Sequence, residues 1–402
     1  MELTKAHIEL NEKYGAHNYL PLPVVLEKGE GVWVWDVEGR RYLDMLSSYS
    51  ALNQGHRHPK ILKALIEQTQ RITLTSRAFH NDVLGRFLKK LHDVTGYDKA
   101  LPMNTGVEAV ETALKIARKW GYVKKGIPKY EGKVIVAEGN FHGRTITVIS
   151  FSTEELYKEG FGPFTPGFEV VPYGDEKAIE NAIDENTIAV LLEPIQGEGG
   201  VRIPPEGYLR KVREITRERN VLLILDEIQT GLGRTGKLFA FEWEDARPDI
   251  LVLGKALGGG VYPVSAALAN DDVMNVIGPN EHGSTFGGNP LAAAVGIASI
   301  DVIIEEKLPE RARELGEYFL NELKKIESPF IKEVRGKGLL IGVEIKEEHG
   351  TARPFCEKLA TLGILAKETH EQVIRFAPPL VITKEEIDWA LERIEKVLKE
   401  GV

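Results

Sequence analysis

The chain has 402 residues, of which 43% are hydrophobic and 28% charged, so it can bury the core of a globular protein with two or three domains. Its net charge of -9 disfavours nucleic acid as a partner, because a phosphate-backbone binder needs a basic surface. The N-terminus lacks the apolar run of a signal peptide, and the longest apolar stretch is too short to span a bilayer. With Cys356 as the one cysteine, we expect a reduced, cytoplasmic protein without membrane partners.

The chain begins with a pattern typical of a β-hairpin, two alternating runs around a turn in GVWVWDVEGRRYLDM. Helical patterns then alternate with short apolar runs that indicate a mostly parallel sheet covered by helices, the clearest strands being Lys133–Ala137, Thr187–Leu192, Val221–Leu225 and Ile250–Leu253. Strands near 331–345 and 373–376 and a last helix over 385–400 follow. We predict an α/β fold with a large domain over 53–300 and a smaller α+β domain from 1–52 and 301–402.

Two charged residues stand at the ends of predicted buried strands. Asp226 follows VLLIL, and Lys255 follows DILVL and a glycine. Taken singly, the aspartate reads as a helix cap or ion-pair partner, and the lysine as a surface residue. Because sequential strands are often neighbours, the two side chains can meet at the sheet edge where α/β proteins bind ligands. Pyridoxal phosphate requires this combination, a lysine amine for its aldehyde and a carboxylate for its pyridine nitrogen.

The segment LPMNTGVEAVETALKIARKW predicts a helix that could hold the cofactor phosphate. Thr105 and Glu108 have the spacing of a capping box, and Gly106 lets backbone amides approach an anion at the helix start. A well-capped helix with no ligand would show the same pattern, so this segment supports the cofactor hypothesis without establishing it.

Further functional groups follow two other predicted strands. Phe141 and Arg144 follow KVIVA, where a phenyl ring can stack on a planar cofactor and a guanidinium can bind a carboxylate. Glu193 and Glu198 follow TIAVLL. We set aside the G-x-G-x-x-G spacing at 231–236, because no helix pattern follows it. We expect no metal site, since His56 and His58 precede a proline and lack a second ligand cluster.

With these residues in place, the chain resembles the class III, fold-type I aminotransferases, which depend on pyridoxal phosphate. The resemblance covers nearly the whole chain and includes LPMNTGVEAVE, GNFHGRT, EPIQGEGGV, LDEIQTGLGRTG, PDILVLGKALGGG and HGSTFGGNP.

The resemblance implies a role for each residue of the cofactor site. Lys255 would hold the cofactor covalently and move the proton, and Asp226 would pair with the pyridine nitrogen. The other implied contacts are Thr105, Gly106 and Val107 at the phosphate, Phe141 on the ring face, Gln229 at the ring hydroxyl, and His142, which stands where some relatives carry tryptophan. Thr285 would reach the phosphate of a neighbouring subunit, which implies a homodimer or a larger assembly of dimers.

The resemblance also implies a reaction, transfer of the δ-amino group of L-ornithine to 2-oxoglutarate. Tyr19, Tyr49 and Arg144 would anchor the α-amino and α-carboxylate groups of ornithine. Glu198 would pair with Arg375 until 2-oxoglutarate arrives, when Arg375 would bind its carboxylate.

Three alternatives stay open from the sequence. One is a related aminotransferase for N-acetylornithine, 4-aminobutyrate or another ω-amino acid, although Tyr19 and Tyr49 argue against N-acetylornithine. Another is an amino acid racemase on the same fold. A binding protein without activity is disfavoured because Lys255 and Asp226 are both present.

Overall fold

A computed structural model describes residues 2–402 of the chain. Its strands are, in chain order, β1 (Leu26–Glu30), β2 (Trp33–Asp36), β3 (Arg41–Asp44), β4 (Lys99–Met103), β5 (Lys133–Ala137), β6 (Phe168–Val171), β7 (Thr187–Leu192), β8 (Leu222–Asp226), β9 (Ile250–Leu253), β10 (Ser265–Ala269), β11 (Ile331–Lys337), β12 (Leu340–Ile345), β13 (Ile364–Leu365), β14 (Lys367–Thr369) and β15 (Val373–Phe376).

The longer helices are Glu2–Tyr14, Pro59–Thr69, Leu84–Thr95, Gly106–Trp120, Tyr208–Glu218, Pro290–Glu305, Leu308–Lys324, Arg353–Thr361 and Lys384–Glu400. Shorter helices are Ile146–Ser150, Glu155–Lys158, Glu176–Ala182 and Asp271–Met274, with a π-helical turn at Gly121–Lys125 and tight 3₁₀ turns at Ala240–Glu244, Lys255–Gly258 and Glu347–His349. Ser47–Ser50 form one turn of left-handed backbone. Within residues 2–402, no helix combines the length and apolarity that a membrane span needs.

The central sheet has seven strands in the order β4-β10-β9-β8-β7-β5-β6. The five strands from β9 to β6 run parallel, and β10 is antiparallel to both of its neighbours, so the predicted mostly parallel sheet is confirmed. The sequence patterns missed β4, β6 and β10. In β10 the sequence SAALA has no β-branched residue, and pairing on both edges holds it extended instead.

Both faces of this sheet are buried, which explains why its strands are apolar throughout. Along β8, Leu222 and Ile224 belong to one core, whereas Leu223 and Leu225 belong to the other. The helix Gly106–Trp120 covers the first face, and Pro290–Glu305 packs in the second core. Because the faces are sealed, polar groups on the strands can act only at the strand ends.

Two smaller sheets lie outside the central one. The N-terminal sheet has the order β1-β2-β3-β13, so the predicted hairpin forms and its last strand pairs in parallel with a segment from near the C-terminus. The other has the order β11-β12-β15-β14. Its strand β15 carries Arg375. The domain bounds inferred from the sequence stay a prediction.

Candidate active site

Asp226 is the last residue of β8, one position later than the predicted strand end, because its backbone pairs with Val252 of β9. Its carboxylate is buried, which is costly unless hydrogen bonds compensate. Oδ1 accepts from the amide of Ile228 at 3.0 Å, and Oδ2 lies 2.7 Å from Nδ1 of His142. Within the chain, the side-chain partner of Asp226 is therefore a buried histidine, His142.

Lys255 follows the neighbouring strand β9 and opens a tight turn with φ of +46°. A left-handed lysine is strained, and such strain is found most often at functional sites. Burial lowers the pKa of Lys255 to about 8, and Arg375 acts in the same direction against the attraction of Glu198 and Asp226. The structure thus brings Lys255 and Asp226 to one edge of the sheet and makes the lysine amine more readily neutral, as a nucleophile requires.

The predicted capping box at the start of the helix Gly106–Trp120 is present. The hydroxyl of Thr105 accepts from the amide of Glu108, and the carboxylate of Glu108 accepts from the amide of Thr105. The first amides of a helix have no partner within it, so those of Gly106 and Val107 form an anion site with the helix dipole. A Cβ on Gly254, the residue before Lys255, would stand only 3.5 Å from the Cα of Gly106, so this anion site adjoins the lysine.

Phe141 and His142 stand on the loop after β5, beside the same strand ends. The amide of Phe141 donates to the carboxyl of Glu193 at 3.1 Å. Burial raises the pKa of Glu193 well above its ordinary value, and the nearby charge of Asp226 adds to this. Nε2 of His142 is buried with no hydrogen-bond partner among the described residues. The sequence placed His142 at the cofactor, and the structure adds that it holds Asp226.

Glu198 and Arg375, which are far apart in sequence, form an ion pair of 2.7 Å between Oε1 and Nη1. Burial raises the pKa of Glu198, but the charge and hydrogen bond of Arg375 outweigh it, so the net shift is downward. The guanidinium is 1% exposed, and its Nε and Nη2 have no partner among residues 2–402. Its Nη1 also donates to Oε1 of Gln229 at 3.4 Å. The ring of Tyr49 lies next to the guanidinium of Arg375, with the ring centre 5.1 Å from Cζ.

The remaining predicted substrate residues line the outer part of the site. Tyr19, 70% exposed, and Arg144 border a cavity of about 330 Å³. Leu156 and Tyr157 border both this cavity and a second one of about 400 Å³ that includes Phe141 and Glu198. Sequence reasoning missed Tyr157, whose ring centre lies 4.1 Å from Cζ of Arg144. No sequence motif indicated Tyr157, because its contact with Arg144 depends on how the short helix Glu155–Lys158 packs against the loop that carries Arg144.

Thr285 is exposed on the loop between the short helix Asp271–Met274 and the helix Pro290–Glu305. Its neighbour Ser284 accepts a hydrogen bond from Asn104 at 2.9 Å, which ties this loop to the start of the phosphate-site helix. Thr285 is therefore exposed on a loop that is tied to this helix start, and its predicted contact with a second subunit stays a prediction.

The residues at the strand ends match the groups that pyridoxal phosphate needs. They supply a lysine with a lowered pKa, a buried carboxylate, free helix amides for a phosphate and an aromatic ring. Nδ1 of His142 contacts this carboxylate, and its Nε2 has no hydrogen-bond partner among the described residues. Lys255, Asp226, Gly106, Val107 and Phe141 would be the groups that hold the cofactor.

Known proteins match the chain over almost its full length. The family model for class-III aminotransferases matches residues 14–398. An ornithine aminotransferase from Geobacillus sp. (strain WCH70) is 62% identical over 99% of both chains. An ornithine aminotransferase from Toxoplasma gondii superposes with a TM-score of 0.97 at 49% identity, covering 98% of this chain and 94% of that one. A second structure of that enzyme is described as having partial occupancy of pyridoxal phosphate at its active site.

An acetylornithine aminotransferase from Elizabethkingia anophelis is also similar. It has a TM-score of 0.91 and 51% identity, over 99% of both chains. Class-III aminotransferases, whose family model matches this chain, use pyridoxal phosphate. From its sequence, its fold and the groups at its strand ends, this chain belongs to the class-III, pyridoxal-phosphate-dependent aminotransferases.

Proposed function

We propose that this aminotransferase transfers the δ-amino group of L-ornithine to 2-oxoglutarate, giving glutamate 5-semialdehyde and L-glutamate. The observation that carries the proposal is the ion pair between Glu198 and the buried Arg375. A guanidinium neutralised by a carboxylate does not attract the α-carboxylate of an ordinary amino acid. The part of the site beside Arg375 and Lys255 then accepts a terminal amine on an uncharged carbon chain, as in ornithine.

The outer cavity provides the groups that hold the other end of ornithine. Arg144 binds the α-carboxylate, and Tyr157 keeps the guanidinium in place through the contact of 4.1 Å. Tyr19 at this cavity and Tyr49, whose ring lies beside Arg375, bind the α-amino group through their hydroxyls. Because these contacts need both α substituents at a fixed distance from the reacting amine, 4-aminobutyrate, which lacks the α-amino group and has its carboxylate one carbon closer to that amine, binds less well.

Pyridoxal phosphate, when bound, supplies an aldehyde that takes up the amino group and a cationic ring that accepts electrons. Lys255 holds the cofactor and moves the substrate proton on Nζ, which a pKa of about 8 favours near neutral pH. Asp226 keeps the ring nitrogen protonated, and His142 fixes the carboxylate. Thr105, Gly106 and Val107 bind the phosphate, and Gln229 binds the ring hydroxyl.

The second half-reaction, in which the keto acid is the substrate, uses Arg375. When 2-oxoglutarate enters, Glu198 moves away and Arg375 binds the α-carboxylate of the keto acid. Nε and Nη2 of Arg375 have no partner in residues 2–402, so they are available for a bidentate contact. One pocket thereby accepts an ω-amine first and an α-keto acid second.

We further place Thr285 at the phosphate of a second subunit, in a homodimer or an assembly of dimers. Phe79 and Phe286 are 74% and 49% exposed, and a partner subunit would cover them. Sedimentation at micromolar concentration tests this directly, since a monomer would exclude the shared site. A buried free Cys356 fits a reducing cytoplasm.

A half-reaction titration tests the substrate. L-Ornithine, N-acetylornithine, 4-aminobutyrate and L-lysine are added separately to the cofactor-loaded protein without a keto acid, and the absorbance of the bound cofactor is followed. We expect the change at the lowest concentration with L-ornithine and its reversal by 2-oxoglutarate. Preference for N-acetylornithine would replace ornithine in the proposal, and racemisation without use of a keto acid would reject transamination.

A further inference from the structure

Four successive residues without a glycine, Ser47–Ser50, adopt left-handed backbone, with φ between 48° and 73°. For Ser48 and Tyr49, ψ values of 51° and 43° place both in the left-handed helical region. Each such residue is unfavourable because Cβ crowds the following carbonyl. The hydroxyls of Ser47 and Ser50 are also buried without partners among the described residues. Strain of this kind persists only where the surroundings enforce it, and it points to a function.

Asp44, the last residue of β3, fixes the start of this turn. Its Oδ1 accepts from the amides of Leu46 and Ser47 at 2.9 and 2.8 Å. Its Oδ2 lies 2.7 Å from Nε2 of His56. Because a carboxylate only accepts, Nε2 of His56 donates, and the histidine holds the carboxylate in the orientation that binds both amides.

His56 is itself anchored on the N-terminal hairpin. Its amide and carbonyl exchange hydrogen bonds with Gly31 at 2.8 and 3.1 Å. Its ring lies so close to Gly29 that a Cβ there would stand 2.8 Å from Nδ1. Two residues earlier, Gln54 donates to the carbonyl of Ala256, next to Lys255, at 2.9 Å. His56 therefore belongs to a rigid frame that also supports the catalytic lysine.

The turn places the ring of Tyr49 between two functional cations, with its centre 5.5 Å from Nζ of Lys255 and 5.1 Å from Cζ of Arg375. We propose that Asp44 and His56 form a positioning pair, which holds the left-handed turn and thereby sets where the hydroxyl of Tyr49 meets the substrate. Neither residue contacts the reacting atoms. The proposal rests on the proposed function, because it assigns substrate recognition to Tyr49.

Hydrogen exchange of the cofactor-free protein tests the pair without any reaction. His56→Gln keeps a donor at the reach of Nε2, whereas His56→Asn carries the same amide one carbon shorter and cannot reach Asp44. The amides of Leu46 and Ser47 should exchange about tenfold faster in the asparagine variant than in the glutamine variant. Equal exchange rates in the two variants would overturn the proposal that Asp44 and His56 hold the turn. If His56→Asn does not fold, His56→Leu, which keeps bulk against Gly29, replaces it.

Kinetics then test the link to Tyr49. His56→Asn should raise the KM for L-ornithine about tenfold with little change in kcat. The KM of the His56→Gln variant should be close to that of the parent protein. In a Tyr49→Phe background, His56→Asn should have no further effect on this KM. The same tenfold rise in both backgrounds, or a loss confined to thermal stability, would show a purely structural role.

The two proposals fail in different ways. If the parent protein does not use L-ornithine, the proposed function fails, while the exchange experiment still decides whether the pair holds the turn. If ornithine is used but the kinetics of the His56 variants match the parent, the positioning proposal alone fails.

Discussion

The inner and outer parts of the site are built in different ways. Asp226 is the last residue of one buried strand of the central sheet and Lys255 follows the next, and hydrogen bonds or strain hold them in place. Tyr19 and Arg144 stand on exposed loops and border an open cavity. In the proposed function, the reaction requires fixed geometry and uses the groups at the strand ends, whereas substrate choice depends on loops, which can vary without disturbing the core. Substitutions in the two parts should therefore change different kinetic constants.

The largest effect is expected from Lys255→Ala. It removes both the amine that holds the cofactor and the group that moves the proton, so kcat should fall by about 10⁴-fold or more. The protein should stay folded and still bind pyridoxal phosphate noncovalently through the phosphate and ring contacts. Steady-state turnover and retention of the cofactor on gel filtration measure both. Near-normal turnover would refute the role of Lys255.

Arg144→Gln should act on binding instead of on the reaction. Loss of a charge-assisted contact to the α-carboxylate should raise the KM for L-ornithine by about 10²-fold, with kcat within a fewfold of the parent. Lys115→Gln, an exposed cation on the helix Gly106–Trp120, is the matched control. A fall in kcat without a change in KM would place Arg144 in the inner site.

The lowered pKa of Lys255 should appear in the pH dependence of the rate at which the protein binds pyridoxal phosphate. Because only the neutral amine reacts, the rate at which the cofactor-free protein takes up pyridoxal phosphate should rise about tenfold per pH unit below about 8 and level off above it. Stopped-flow absorbance between pH 6.5 and 9.5 gives this profile. A rate that keeps rising to pH 10 would mean an ordinary lysine pKa.

Glu198→Gln tests the boundary between the two parts. Without the carboxylate, Arg375 stays charged and unmasked, so α-transamination starting from L-glutamate should rise about tenfold while ornithine turnover falls. Glu154→Gln is the control, because Glu154 lines the same cavity of about 400 Å³ as Glu198. Unchanged use of glutamate would contradict the masking of Arg375.

The smallest effect concerns the left-handed turn. Ser48 is exposed, so Ser48→Gly removes backbone strain and few contacts, and the free energy of unfolding should rise by about 0.5–1 kcal/mol. Thermal unfolding measures this, with Ser48→Ala as the control that keeps the strain. A loss of stability would mean that the turn is not strained at Ser48.

Local patterns were sufficient for much of the inner site. The capping box at Thr105 and Glu108 needs residues three positions apart, and Asp226 and Lys255 follow two successive strands, so short-range rules placed them. The apolar runs fixed β5, β7 and β9 for the same reason. By contrast, β10 is extended because its neighbours pair with it, which its alanine-rich sequence does not reveal.

The sequence by itself determined the α/β class and, through family motifs, the aminotransferase family, while the residues that it assigns to the cofactor site stay a prediction. Only the tertiary structure decided that His142 holds Asp226, that Tyr157 packs on Arg144 and that Asp44 with His56 holds a left-handed turn. The physical reason is sequence separation. Hydrogen bonds and ring contacts between distant residues depend on how whole elements pack, whereas helix caps and strand periodicity are set by neighbouring residues along the chain.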